Sequence, residues 1–124
     1  MSADMRDRHD RPLVERMGDG IRGVHEAWKR DQALRTHVFL SAAGIAVLLA
    51  VQPAVAWTLS VVVLAVSGLA AELVNSSLET ALDKLHPDFD PAIGAAKEMA
   101  SGAAAVINLA AVALFVGAIL TSTI

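Results

Sequence analysis

The chain has 124 residues, of which 55% are hydrophobic and 19% charged, with a net charge of −3 and no cysteine. Its mean hydropathy of +0.53 is too high for a small soluble domain, whose surface must be covered by polar groups. The lack of cysteine excludes disulfides, thiolate nucleophiles and Cys-ligated zinc, and the acidic charge balance excludes the basic surface typical of nucleic-acid binding.

The N-terminal region is predicted to form a tail followed by an amphipathic helix. Residues 1–11 are polar and charged, and we expect them to be disordered. From about residue 13 to 30, apolar residues recur at helical spacing between charged ones. The apolar members are Val14, Met17, Ile21, Val24 and Trp28. Such a basic amphipathic helix is typical of a membrane surface, although the same pattern fits a helix docked on its own protein.

Two long stretches of the chain contain no Asp, Glu, Lys or Arg, at residues 38–71 and 99–124. A hydrocarbon core about 30 Å thick needs about 20 apolar helical residues, so these stretches have room for about three crossings. Gln52 and Pro53 divide the first stretch at a turn, and Pro91 opens the last helix. The predicted spans are at about 35–51, 54–85 and 91–122.

The expected fold is therefore all-α, with a surface helix and three transmembrane helices in one membrane domain over residues 12–124. All ten Lys and Arg residues lie before the first uncharged stretch or between the first and the second. By the positive-inside rule, both regions are cytoplasmic. We therefore expect a multi-pass membrane protein with a cytoplasmic N-terminus and a periplasmic or external C-terminus.

Polar residues continue the second span without a break in its helical pattern. At about 100° per residue they share one face, and they are Glu72, Asn75, Ser76, Glu79 and Asp83. Counted from Trp57 at the outer interface, Glu72 lies roughly 22 Å and Glu79 roughly 33 Å along the helix. Glu72 should thus lie in the cytoplasmic half of the hydrocarbon core. A carboxylate there needs a partner, a proton or water, and is a functional hypothesis by default.

The types of residue on this face suit phosphoryl transfer. Two carboxylates can hold Mg²⁺ together with phosphate oxygens, and one of them can act as general base towards a hydroxyl. Lys97, one helix further on at the same depth, is a cation suited to a nucleotide phosphate. The structural alternative is that a protonated Glu72 and Asn75 form hydrogen bonds between helices.

Three segments make the pattern more specific: ELVNSSLETALDKL at 72–85, AAKEMASGAAAV at 95–106 and GVHEAWKRDQALR at 23–35. With these segments the chain resembles the prokaryotic diacylglycerol kinase family over about residues 12–120. The resemblance implies a homotrimer of three-span subunits, each with a surface helix, whose active sites lie at the cytoplasmic interface. It also implies ATP as co-substrate and Mg²⁺ as cofactor, and a location in the bacterial inner membrane with the C-terminus in the periplasm.

The resemblance assigns roles to individual residues. Glu72 matches the catalytic base, and Asn75 lies beside it in the signature, where it would orient Glu72 or the substrate. Glu79 and Asp31 match the metal-binding carboxylates. The positions that match nucleotide or cofactor contacts are Arg11, Asp19, Asp31, Glu79, Asp88, Phe89, Asp90, Lys97 and Glu98. The positions expected at the lipid substrate are Glu72, Trp28, Arg35 and Ser101.

Four positions depart from the family pattern. Asp31 stands where the family has Glu, and Glu98 stands where it has Asp, so each keeps its charge with a different reach. His37 stands where a relative carries Glu. The direct register of the N-terminal Arg falls on Pro12, and Arg11 is the residue we choose.

The predicted function is ATP- and Mg²⁺-dependent phosphorylation of diacylglycerol to phosphatidate, by direct in-line transfer at the cytoplasmic membrane interface. Undecaprenol kinases share the fold and the signature, so the acceptor lipid stays open. A small proton-coupled transporter would also use an intramembrane Glu. It would place that residue near the midplane and usually shows repeat symmetry, whereas this acidic face is displaced towards the cytoplasm.

Overall fold

The computed structural model describes residues 11–122, and this part of the chain is helical. Within those residues there are four helices: α1 (Leu13–Arg30), α2 (Gln32–Val51), α3 (Val55–Leu85) and α4 (Pro91–Ser122). Three of them, α2 to α4, are long and apolar enough to cross a membrane. The predicted all-α class, with three helices long and apolar enough to span a membrane, is therefore confirmed. The predicted disordered tail lies, except for Arg11, outside the described residues.

The contacts divide the chain into two compact units, one that ends at Asp31 and one that begins at Gln32. The first unit contains α1, whose apolar residues are exposed, for example Val14 at 79% and Ile21 at 70%. Glu26 forms ion pairs with Lys29 (3.5 Å) and Arg30 (3.3 Å) on the polar side. α1 is thus an amphipathic helix, and its apolar side is available to another surface.

The second unit is a bundle of α2, α3 and α4, in which α3 and α4 share the most extensive contact. The turn between α2 and α3 forms because Gln52 adopts a left-handed conformation (φ 53°), its N–H donates to Leu48 O at 2.8 Å, and Pro53 cannot continue the helix. At this end of the bundle, Leu48, Val61 and Ala118 are buried. They are packed against Trp57, Leu114, Phe115 and Ile119.

Gly68, on α3, lies where all three helices of the bundle approach one another. It is buried, and an added Cβ would overlap with Asn108 Oδ1 of α4 and lie 2.7 Å from His37 Cε1 of α2. The His37 ring cannot move freely, because Nε2 donates to Ala65 O on α3 at 2.9 Å. Gly68 therefore leaves the space in which two polar side chains from neighbouring helices meet α3.

We expect Gly68→Ala to destabilise the bundle by about 1–3 kcal/mol, since added volume in a packed site forces its neighbours to move. The measurement is the midpoint of thermal unfolding in detergent micelles. Gly44→Ala is the matched control, because a Cβ at Gly44 would meet Phe115 at an ordinary 3.7 Å. Equal midpoints for the two variants would show that the site around Gly68 is not tightly packed.

Candidate functional site

The candidate site is built on one face of α3. Val61, Ala65, Gly68, Glu72, Asn75 and Glu79 follow one another at spacings of four and three residues, which keeps them on one side of a helix. Val61, Gly68 and Asn75 are buried, so this side faces the bundle. Because α3 has 31 residues, it is roughly 46 Å long and exceeds a hydrocarbon core of about 30 Å.

Glu72 is half-buried and interacts with α4. Asn108 Nδ2 donates to Glu72 Oε1 at 3.3 Å, a hydrogen bond between residues 36 positions apart. The other amide atom, Asn108 Oδ1, is buried and has no hydrogen-bond partner. The carboxylate of Glu72 is thus directed into the bundle by a neutral donor, and not towards the lipid-facing side of α3.

Asn75 and Glu79 form the next polar pair along the same face. Asn75 is 9% exposed, and its Nδ2 donates to Glu79 Oε1 at 3.3 Å. Asn75 Oδ1 is buried without a hydrogen-bond partner. Glu79 itself is half-buried, so its carboxylate is oriented by Asn75 and is still accessible to a ligand.

Lys97 of α4 forms an ion pair with Asp83, one turn beyond Glu79 on α3. Lys97 is partly covered and Asp83 is largely exposed, with side-chain exposures of 30% and 66%. A pair with one partner so exposed is weak, because water screens it. The ammonium group of Lys97 is therefore held near the acidic face by a partner that a phosphate could replace.

An open groove of about 780 Å³ lies between α2, α3 and α4. Its polar lining residues are Gln32, Thr36, His37, Ser41, Glu72 and Asn108. The remainder is mainly apolar and includes Leu40 and Phe115. Since α2 begins at Gln32 and α3 runs in the opposite direction, the polar residues lie towards one end of the groove. The groove thus offers an apolar channel with a carboxylate near its polar end.

The predicted nucleotide contacts in the first unit are engaged in local interactions. Asp19 forms ion pairs with Arg11 (3.9 Å) and with Arg22. Asp31 follows the end of α1, where its N–H donates to Ala27 O at 2.8 Å. Trp28, which is predicted to contact the lipid and not the nucleotide, is 36% exposed.

The other predicted contacts lie in the second unit. Asp88, Phe89 and Asp90 form the exposed connection before α4, and Asp90 Oδ1 accepts from Ala92 N–H (2.7 Å) and Ile93 N–H (3.4 Å). Asp90 therefore has a structural function as the N-cap of α4. Arg35 is half-buried on α2, and Glu98 and Ser101 are exposed on the N-terminal half of α4.

Of the six polar residues that line the groove, the sequence predicted only Glu72 as a site residue. Two of the others, Asn108 and His37, form hydrogen bonds between helices. Asn108 was not selected at all, and His37 was noted only as a departure from the family pattern. A signal for Asn108 was present, because it is the only amide side chain among residues 99–124. An amide in such an apolar span needs a partner, but only the packing of α4 on α3 identifies that partner as Glu72.

The fold and the site define a small helical membrane protein in which α3 directs a polar, carboxylate-bearing face towards the helix bundle. The sequence model of the prokaryotic diacylglycerol kinase family matches residues 18–121, and the chain belongs to this family. Membership indicates a small lipid kinase of the diacylglycerol kinase family. Neither the curated proteins nor the solved structures gave a significant match.

Proposed function

We propose that the protein transfers the γ-phosphoryl group of ATP to the hydroxyl of diacylglycerol and so forms phosphatidate. The observation that carries this proposal is the position of Glu72 in an apolar groove, with its Oε1 held by Asn108 at 3.3 Å. An apolar groove suits a lipid chain, and a carboxylate near its polar end suits the removal of a proton from the lipid's hydroxyl.

In the proposed reaction, Glu72 takes the proton of the lipid hydroxyl while the hydroxyl oxygen attacks the γ-phosphorus of ATP. The new bond is between that oxygen and phosphorus, and the bond between phosphorus and the bridging oxygen of ADP breaks. The developing charge lies on phosphate oxygens, where a cation stabilises it. Lys97 supplies this cation by exchanging its ion pair with Asp83 for a contact with ATP.

Mg²⁺ is the expected cofactor, and Glu79 is suited to supply one of its ligands. Among residues 11–122, no group of three His, Asp or Glu side chains converges on one point, so this part of a single chain offers no complete protein cage. Mg²⁺ commonly takes only one or two carboxylates and completes its coordination with water and phosphate. Glu79 would supply one carboxylate and Asp31 a second. When bound, the ion would neutralise charge on the phosphates of ATP.

The remaining assignments are part of the same proposal. Arg11, Asp19, Asp88, Phe89, Asp90 and Glu98 would contact the nucleotide. Trp28, Arg35 and Ser101 would contact the lipid. We propose that α1 lies on the cytoplasmic surface of the inner membrane, since its apolar side is exposed and its other side is charged. The basic residues then face the cytoplasm, and the C-terminus is periplasmic.

We also propose a homotrimer. Only 11% of the most apolar window of each spanning helix is buried in a single copy, so most of the apolar surface must be covered by lipid or by further copies. Small residues allow helices to approach closely in a membrane. Ala103, Ala105 and Gly102 are exposed on α4 and supply such a surface.

The acceptor lipid is tested by direct comparison. The purified protein in mixed micelles, with radiolabelled ATP and Mg²⁺, is given either diacylglycerol or a long polyprenol at equal surface concentration. We expect label in phosphatidate at a rate at least about tenfold higher than in polyprenyl phosphate, a difference of about 1.4 kcal/mol in transition-state stabilisation. The reverse preference would identify an undecaprenol kinase, and label in neither lipid would contradict a lipid kinase of either kind.

A further inference from the structure

Asn108 connects α4 to the acidic face of α3. It lies on α4, whose residues from Met99 to Ser122 include no Asp, Glu, Lys or Arg. Its Nδ2 donates to Glu72 Oε1 at 3.3 Å, and it lines the same groove as Glu72. The orientation of the amide follows from its partner, since the opposite orientation would direct Oδ1 at a carboxylate oxygen.

The packing around Asn108 restricts this amide. Its Oδ1 is buried and accepts no hydrogen bond. It lies so close to Gly68 that an added Cβ would overlap with it, and the His37 ring occupies the other side of the same space. His37 is in turn fixed by its bond to Ala65 O at 2.9 Å. Residues of α2, α3 and α4 therefore hold the amide in one orientation. In this orientation Asn108 Oδ1 has no hydrogen-bond partner.

We infer that Asn108 is a positioning residue for Glu72, an inference that rests on the proposed role of Glu72 as general base. The hydrogen bond to Oε1 leaves Oε2 as the oxygen that faces the lipid hydroxyl. Asn108 does not touch the reacting atoms. It limits the rotation of the carboxylate, so that proton removal and attack on phosphorus occur in one geometry.

The test is a double-mutant cycle between the two residues. Asn108→Leu removes the donor and keeps a similar volume, and we expect kcat to fall about 10- to 100-fold, because a misplacement of about 1 Å can cost 10²-fold. The KM values for ATP and lipid should stay within about twofold. In a Glu72→Asp background, whose shorter carboxylate is beyond the reach of Asn108, the same substitution should change kcat less than about twofold.

A merely structural Asn108 would reduce kcat by the same factor in both backgrounds, and that result would overturn the inference. Asn108→Ala is the second variant if Asn108→Leu does not assemble, because it removes volume beside Gly68, and the same non-additive pattern is expected. Leu109→Ala is the matched control on the neighbouring, 72% exposed position of α4, and its kcat should be unchanged.

The two proposals fail in different ways. An active wild type, an inactive Glu72→Gln variant and an Asn108→Leu variant with wild-type kcat would refute the role of Asn108 and leave the proposed function intact. A Glu72→Gln variant with wild-type kcat would refute the base assignment, and the role of Asn108 with it.

Discussion

A Glu72→Gln variant is expected to lose about 10²- to 10⁴-fold of its lipid phosphorylation rate, because the amide cannot accept the proton of the lipid hydroxyl and general bases contribute a factor of this size. The substitution keeps the size of the side chain, and the amide can still pair with Asn108. Assembly and the midpoint of thermal unfolding should therefore stay close to those of the wild type. The measurement is the transfer of label from ATP to diacylglycerol in mixed micelles.

The matched control is Glu15→Gln, the same chemical change at an exposed position in the first turn of α1. Its rate should equal that of the wild type. A Glu72→Gln variant that phosphorylates lipid at a near-normal rate would remove Glu72 from the mechanism. An active Glu72→Gln variant together with a Glu72→Ala variant that fails to assemble would instead assign Glu72 to the structural alternative, because Gln keeps the hydrogen bond between helices and Ala removes it.

Glu79→Gln is expected to have the second large effect, which is on the Mg²⁺ concentration that the reaction requires. If Glu79 supplies a carboxylate to Mg²⁺, its loss should raise the Mg²⁺ concentration for half-maximal rate by at least about tenfold, because Mg²⁺ binds hard anionic oxygens in preference to amides. The rate at saturating Mg²⁺ should fall as well. The measurement is the rate as a function of Mg²⁺ concentration at constant MgATP.

Lys97→Met distinguishes the metal site from the phosphate site. It removes the ammonium group that pairs with Asp83, so it should raise the KM for ATP and leave the Mg²⁺ requirement near that of the wild type. Glu79→Asp, which keeps the charge, should recover part of the Mg²⁺ affinity. An unchanged Mg²⁺ requirement in Glu79→Gln would show that Glu79 is not a ligand.

The acidic face of α3 could be predicted from the sequence because it depends on a single uninterrupted helix. Once α3 continues to Leu85, the helical period alone puts Glu72, Asn75 and Glu79 on the same side. The Asn75–Glu79 hydrogen bond is likewise local, since the two residues are four apart. The assignment of these residues to metal and proton transfer stays a prediction that the variants above test.

Contacts between helices could not be predicted from the sequence. The Asp83–Lys97 pair joins residues 14 positions apart, and the His37–Ala65 bond joins residues 28 apart. Asp90 is a related case, because the resemblance predicts that it contacts the nucleotide and the structure shows it as the N-cap of α4. An Asp at the start of a helix can contact a ligand or cap the helix, so the residue type alone does not identify its role.

The amino-acid sequence by itself determined that this is a helical membrane protein, because hydrophobic length and the absence of charge are properties of each segment alone. It also determined the family, through the signature at residues 72–85 and the match over residues 18–121. Only the tertiary structure decided which polar groups meet across the bundle. Gly68 allows Asn108 and His37 to approach α3, and that close packing, which no single helix encodes, gives Glu72 its partner.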